Sequence, residues 1–220
     1  RDSKGIEIKV TAIHEDGSLD VESLQNHLST KTKLVSLVHI SNALGTVNNI
    51  KKIIEIVKSF NPKIQVLIDG SQAVVHSPVN VSDLECDFYV FTGHKLYAPT
   101  GIGVLWTRAE ILDTMSPYQG GGDMIERVTF ERTTFKPPPA RFEAGTPAII
   151  EAIGLGAAVD YLTDIGMENV AAHEAELLGY AMERLSDIDG LRSYGTTEQK
   201  PGTISFTADW GHPSDIGTIL

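Results

Sequence analysis

IQVLIDGSQAV, residues 64–74, and DFYVFTGHKLYAPTGIGVLW, residues 87–106, are built alike. Each opens on a short apolar run, Ile64–Ile68 in one and Phe88–Phe91 in the other. Each run ends abruptly in small and polar residues: Asp69, Gly70, Ser71 and Gln72 after the first, Thr92, Gly93, His94 and Lys95 after the second. Four or five apolar residues bounded by turn formers read as a buried strand. The carboxyl ends of parallel strands are where open α/β sheets bind ligands. An acid thus leaves one strand and a lysine another, with a hydroxyl and an imidazole just before the lysine.

Working outward, KLVSLVHI (residues 33–40) is a third apolar run, read as a central strand, and it ends in SNALGT with Asn42. Between it and the second run, Ile53, Ile54 and Val57 make the buried stripe of a helix over Ile50–Phe60, stopped by Asn61-Pro62. Ile6–Val10 alternates as a half-buried strand, and Asp20 can cap a helix over Val21–Leu28. Gly101–Trp106 alternates and is expected to run back along the sheet. The strand–helix–strand rhythm predicts a mostly parallel sheet with helices on its faces, a three-layer α/β/α arrangement. Residues 117–147 interrupt that rhythm with Gly120-Gly121-Gly122, an alternating Val128–Phe135 read as a hairpin or extended arm, and Pro137-Pro138-Pro139. Long helices are expected over Ile149–Leu162 and Met167–Leu185, then two strands around Thr196–Lys200. The division expected is residues 1–155 as the central part of a large domain and 156–220 as a linker helix and the start of a smaller α+β domain. Abrupt ends, IEIKV at one and DIGTIL at the other, read as those of a piece of a longer chain.

The 220 residues carry a net charge of −11, which argues against general affinity for nucleic acid or an anionic membrane surface. No apolar stretch has membrane-spanning length. The single cysteine, Cys86, rules out an internal disulfide and a cysteine-rich metal cluster, and the chain reads as cytoplasmic. His39, His76 and His94 lack metal-ligand spacing, so no metal site is expected.

A lysine after a buried strand is usually a surface residue; Lys95 gains from Thr92, His94, Gly93, Gly101 and Gly103 around it. A desolvated lysine can bond an aldehyde carbon and move protons. Pyridoxal phosphate needs such a lysine and an acid at its ring nitrogen, and Asp69 meets the second need. Asp69 could instead cap its own turn or bind magnesium. Gln72 and Asn42 could approach the phenolic oxygen of such a cofactor, or satisfy loop backbone. Thr92 and His94 could bind its phosphate. Ser71, His94 and Asp69 could be read as a hydrolytic triad, but no GxSxG elbow surrounds Ser71.

The stretches HISNALGT (39–46), VLIDGSQAV (66–74), CDFYVFTGHKLYAPTGIGVLW (86–106), GGGDMI (120–125) and RFEAGTP (141–147) resemble the SufS/CsdA-type cysteine desulfurases. These are fold-type I pyridoxal phosphate enzymes of the class V aminotransferase group. The resemblance implies the aspartate aminotransferase-like fold with Lys95 as the cofactor-linked catalytic lysine. It implies Asp69 at the pyridine nitrogen, Gln72 at the phenolic oxygen, Thr92 and His94 at the phosphate, and Asn42 near substrate and cofactor oxygen. Thr146 would reach the phosphate held by the neighbouring subunit, and Val128–Phe135 would lie near that partner of a homodimer. L-Cysteine would be converted to L-alanine, and the sulfur would leave as a persulfide for an acceptor protein of iron–sulfur cluster assembly. The family's ring-stacking histidine, sulfur-accepting cysteine and carboxylate-binding arginine have no counterpart here, so activity is expected of a longer protein rather than of this chain alone. Selenocysteine lyase, another class V activity, or an inactive core serving as an interaction module are the alternatives.

Overall fold

The computed structural model describes residues 5–220. Asp20 caps α1 (Val21–His27) by accepting the Ser23 N–H at 2.8 Å. The chain then runs through β1 (Leu34–Val38), α2 (Ile50–Phe60), β2 (Gln65–Asp69), the single turns α3 (Ala73–His76) and α4 (Val81–Leu84), and β3 (Phe88–Thr92). β4 (Gly103–Thr107) and α5 (Ala109–Thr114) follow. Beyond them lie the hairpin β5 (Ile125–Val128) and β6 (Thr133–Phe135), and the long helices α6 (Ile149–Ile165) and α7 (Met167–Ser186). A second hairpin, β7 (Leu191–Tyr194) and β8 (Ser205–Ala208), leads to α8 (Pro213–Ile219).

β1–β4 form one sheet in sequence order, parallel through β3, with β4 returning antiparallel. The core lies on one side of it. α2 buries Ile50, Ile53, Ile54 and Val57 against Val66, Ile68 and Tyr89. At about 1.5–3 kcal/mol per buried aliphatic side chain, these four account for roughly 6–12 kcal/mol of gross burial. A charged tie reinforces the same contact. Lys58 on α2 donates to Asp87 at 2.6 Å and to the Ile64 carbonyl at 2.8 Å, while Asp87 also accepts the Val66 N–H at 2.7 Å. The opposite side of the sheet leaves Leu34, Val38 and Leu105 exposed.

α6 and α7 pack through Leu162 and Met167 onto Val75 of α3 and Leu96, and His76 of α3 meets Glu174 of α7 at 2.8 Å. The β7–β8 hairpin seats on the turn before α1 and on the loop after β1. Thr196 N–H donates to Asp16 O at 2.9 Å, and the Ser205 hydroxyl donates to Ala43 O.

Three expectations change. Ile6–Val10 forms no regular element and pairs with no described strand, and its apolar side chains face solvent. Alternation prescribes two faces; a strand also needs a neighbour's backbone. KLVSLVHI forms β1 at an edge of the sheet among the described residues, with alternate side chains exposed, because β2 pairs with it on one side only. The hairpin over 125–135 starts three residues earlier than the alternation indicated, and a register shift between Ile125 and Arg127 accounts for the mismatch.

Candidate active site

Parallel register brings the three strand ends level: Val38 pairs with Asp69, and Asp69 with Val90. His39 N–H donates to Asp69 O and Gly70 N–H to Val90 O, each at 2.8 Å, so the backbone leaving β2 is held from both sides. Asp69 is half-buried, and one of its carboxylate oxygens accepts the Ser71 N–H at 2.9 Å. Its second oxygen makes no hydrogen bond to a described side chain or amide. Gln72 follows at the start of α3, half-buried and without a side-chain cap bond.

β3 ends in Thr92, and residues Gly93–Leu96 form a single 3-10 turn. Gly93 is required there: a Cβ would lie 2.7 Å from the Ile102 methyl. Gly93 N–H donates to Ile102 O at 2.9 Å, pinning the turn to the antiparallel return. Tyr97 closes it in the left-handed region at φ 61°. Lys95 is half-buried in this turn, and its amine has no ion pair or hydrogen bond to another described residue. Thr92 Oγ1 and His94 Nδ1 are 2.8 Å apart, which ties the exposed imidazole to the strand end.

The fold therefore brings Asp69, Gln72, Thr92, His94 and Lys95 to one edge of the sheet. Asn42 joins them on the loop after β1, exposed, in a turn closed by Ser41 N–H to Thr46 O and Gly45 N–H to Ser41 O, each 2.9 Å. Thr146 is not hydrogen-bonded to any of these. It is exposed, three residues before α6, in a segment fastened by Gly145 N–H to Gly122 O at 2.9 Å.

An unpaired amine, a carboxylate with lone pairs to spare, an unengaged amide and a hydroxyl–imidazole pair are together a donor set that fits pyridoxal phosphate. Each group has hydrogen-bonding capacity that no described residue uses.

Sequence reasoning missed His39 and Tyr89. His39 Nδ1 lies 3.0 Å from the Tyr89 hydroxyl. Burial holds the His39 imidazole below its ordinary range and drives the Tyr89 phenol far above its own. The available signal was Tyr89 itself, a hydroxyl-bearing residue in a buried apolar run, since a buried phenol wants a partner.

The class-V aminotransferase family model matches residues 1–220. A cysteine desulfurase of Synechococcus elongatus is 46% identical over 216 residues, covering 98% of this chain and 34% of the relative. The apo structure of a cysteine desulfurase from Thermococcus onnurineus superposes with a TM-score of 0.92 at 34% identity, over 100% of this chain and 55% of that one. A mutant of C-DES with glycine covalently linked to its PLP cofactor gives a TM-score of 0.79 at 27% identity, over 91% and 54%. The chain spans about a third to a half of the length of the curated relatives it matches. The architecture is the three-layer α/β/α aminotransferase-like fold, and this chain is a member of the class-V aminotransferase family.

Proposed function

We infer that the protein to which this chain belongs is a pyridoxal phosphate-dependent cysteine desulfurase, converting L-cysteine to L-alanine and passing the sulfur on as a persulfide. The observation that carries the reading is the level register of β2 and β3, which sets the acid Asp69 and the unpaired amine Lys95 at neighbouring strand ends. Relatives bearing that name at up to 46% identity support it. When bound, the cofactor supplies an electron-poor ring that accepts negative charge from the substrate Cα.

The residues then divide the remaining work. Lys95 would hold the cofactor, and its amine would take and return the substrate Cα proton. Asp69 keeps the pyridine nitrogen protonated with its spare oxygen. Gln72 orients the phenolic oxygen, Thr92 and His94 hold the phosphate, and Asn42 faces substrate. Thr146 serves the phosphate of a second subunit in a homodimer, with the β5–β6 hairpin near that partner. The substrate C–S bond breaks, a proton replaces sulfur on the product, and a thiol elsewhere in the protein becomes a persulfide. That sulfur goes to an acceptor protein of iron–sulfur cluster assembly. Residues 1–155 belong to the large domain and 156–220 lead into the smaller one. Cys86 is not the sulfur carrier: it is wholly buried, and burial pushes its thiol up.

The test uses the full-length protein. Borohydride reduction with pyridoxal phosphate should leave a cofactor adduct on the peptide containing Lys95, and L-cysteine should yield equal alanine and sulfide in the presence of a thiol reductant. An adduct on another lysine overturns the Lys95 assignment. Absence of both adduct and sulfide makes the chain an interaction module, and a strong preference for selenocysteine makes the protein a selenocysteine lyase.

A further inference from the structure

Tyr89 is 1% exposed on the α2 side of β3, and its ring stands edge-on to His39 at 88°, with centroids 6.1 Å apart. Burial favours the neutral form of both groups. A buried phenol must place its hydrogen. His39 Nδ1 is the partner its hydroxyl has among the described residues, so Nδ1 accepts and the imidazole proton sits on Nε2. The pair therefore joins the residue after β1 to the second residue of β3 by a directed bond.

Between them passes the backbone leaving β2. A Cβ on Gly70 would overlap Tyr89 Cζ and Oη, so the Gly70 backbone rests on the tip of the phenol. The peptide before it carries Asp69, and two residues later comes Gln72. His39 also donates its backbone N–H to Asp69 O. One residue thus holds the Asp69 backbone with its amide and the Tyr89 hydroxyl with its ring. A phenylalanine would fill the same space without burying a hydroxyl, as Phe88 and Phe91 do beside it.

We propose that Tyr89 and His39 are positioning residues for the desulfurase reaction. Their hydroxyl–imidazole bond sets the height of the Asp69–Gln72 turn and thereby aims the Asp69 carboxylate. The inference rests on the reading of Asp69 as the partner of the cofactor nitrogen.

The decisive variant is Tyr89→Phe in the full-length protein, which removes one oxygen and keeps the ring. The Lys95 adduct should persist, whereas affinity of the apo-protein for pyridoxal phosphate should fall about tenfold, and the pH midpoint of the bound cofactor's visible band should move by about one unit, as expected when an aimed charge is lost. Turnover should drop with little change in KM for cysteine. His39→Leu should behave alike. His39→Asn, whose amide oxygen can take the place of Nδ1, should recover most of the affinity. The Tyr89→Phe/His39→Leu double variant should be no worse than either single one, since both remove the same bond. Independently of cofactor, nitrogen chemical shifts of the apo-protein should show His39 protonated at Nε2 in the wild type and a tautomer mixture in Tyr89→Phe. Wild-type affinity and band position in both Tyr89→Phe and His39→Leu would overturn the proposal, as would a proton on Nδ1 in the wild type. A wild type lacking the Lys95 adduct would instead refute the cofactor reading beneath it.

Discussion

Removing the carboxylate of Asp87 should be the most damaging single polar change in the described core. Asp87 is 7% exposed at the entry to β3, and its side chain accepts from both Lys58 Nζ and the Val66 N–H. Asp87→Ala strands a lysine amine that is only 27% exposed and leaves a buried strand amide without an acceptor. Breaking a buried ion pair from one side costs about 3–5 kcal/mol. Because the Lys58 amine can still turn toward water, roughly 2–3 kcal/mol of that applies. The orphaned Val66 N–H adds about 1 kcal/mol. The sum, about 3–4 kcal/mol, should lower the melting midpoint by roughly 6–16 °C for a protein of this size. Lys58→Met should cost less, about 1–2 kcal/mol, because the carboxylate keeps the Val66 amide. Urea titration of the two single variants and the double one completes a cycle, and a coupling of at least about 1 kcal/mol is expected. If Asp87→Ala lies within about 0.5 kcal/mol of wild type, or the two losses simply add, the tie between α2 and β3 is not what the geometry implies.

Three further outcomes follow from other parts of the fold. His39 is held below its unfolded value of 6.5 by burial, so its contribution is fully present above that pH and is lost as pH falls from there toward the lower folded value. Stability measured between pH 7 and 5 should fall less steeply in His39→Leu than in wild type, and equal slopes would refute a buried neutral imidazole. Cys86 should resist alkylation in the folded protein and react promptly in denaturant, as peptide mapping of the Cys86 fragment would show; rapid native labelling would mean the thiol is reachable. Gly195→Ala should destabilise by about 2–3 kcal/mol, since the residue has φ +69° and its Cβ would lie 2.8 Å from that of Leu44. An unchanged denaturation midpoint would show that the β7–β8 hairpin can shift off its seat.

The strand ends were readable because their signal is local: an apolar run, then an acid or a lysine among glycines. α2 was readable to the residue, since Ile53, Ile54 and Val57 recur at the helical period and Asn61 ends it. What escaped depends on neighbours distant in sequence. Alternation over Ile6–Val10 could not reveal that no described strand lies beside it. Nor could the apolar content of Leu34–Val38 tell an edge from a centre. His39 carries no local signal of its role, because its bond spans fifty residues to Tyr89. Gly70 reads as a turn glycine, but the requirement for it comes from the Tyr89 ring beneath. The seat of the second hairpin on Asp16 and Ala43 joins segments that share no pattern at all.

The unpaired outer edge of β1 has a colloidal consequence. Its N–H and C=O groups meet no strand among the described residues, and Leu34 and Val38 lie 50% and 37% exposed on the adjoining face. Such an edge is a template for adding an identical strand from another molecule. Against it stand Lys33 at the mouth of the strand, Ser36 in its middle, and mutual repulsion from a net charge of −11. Strand addition is bimolecular and salt screens the repulsion, so the tendency of this chain to form larger species should follow its concentration and the ionic strength more closely than temperature.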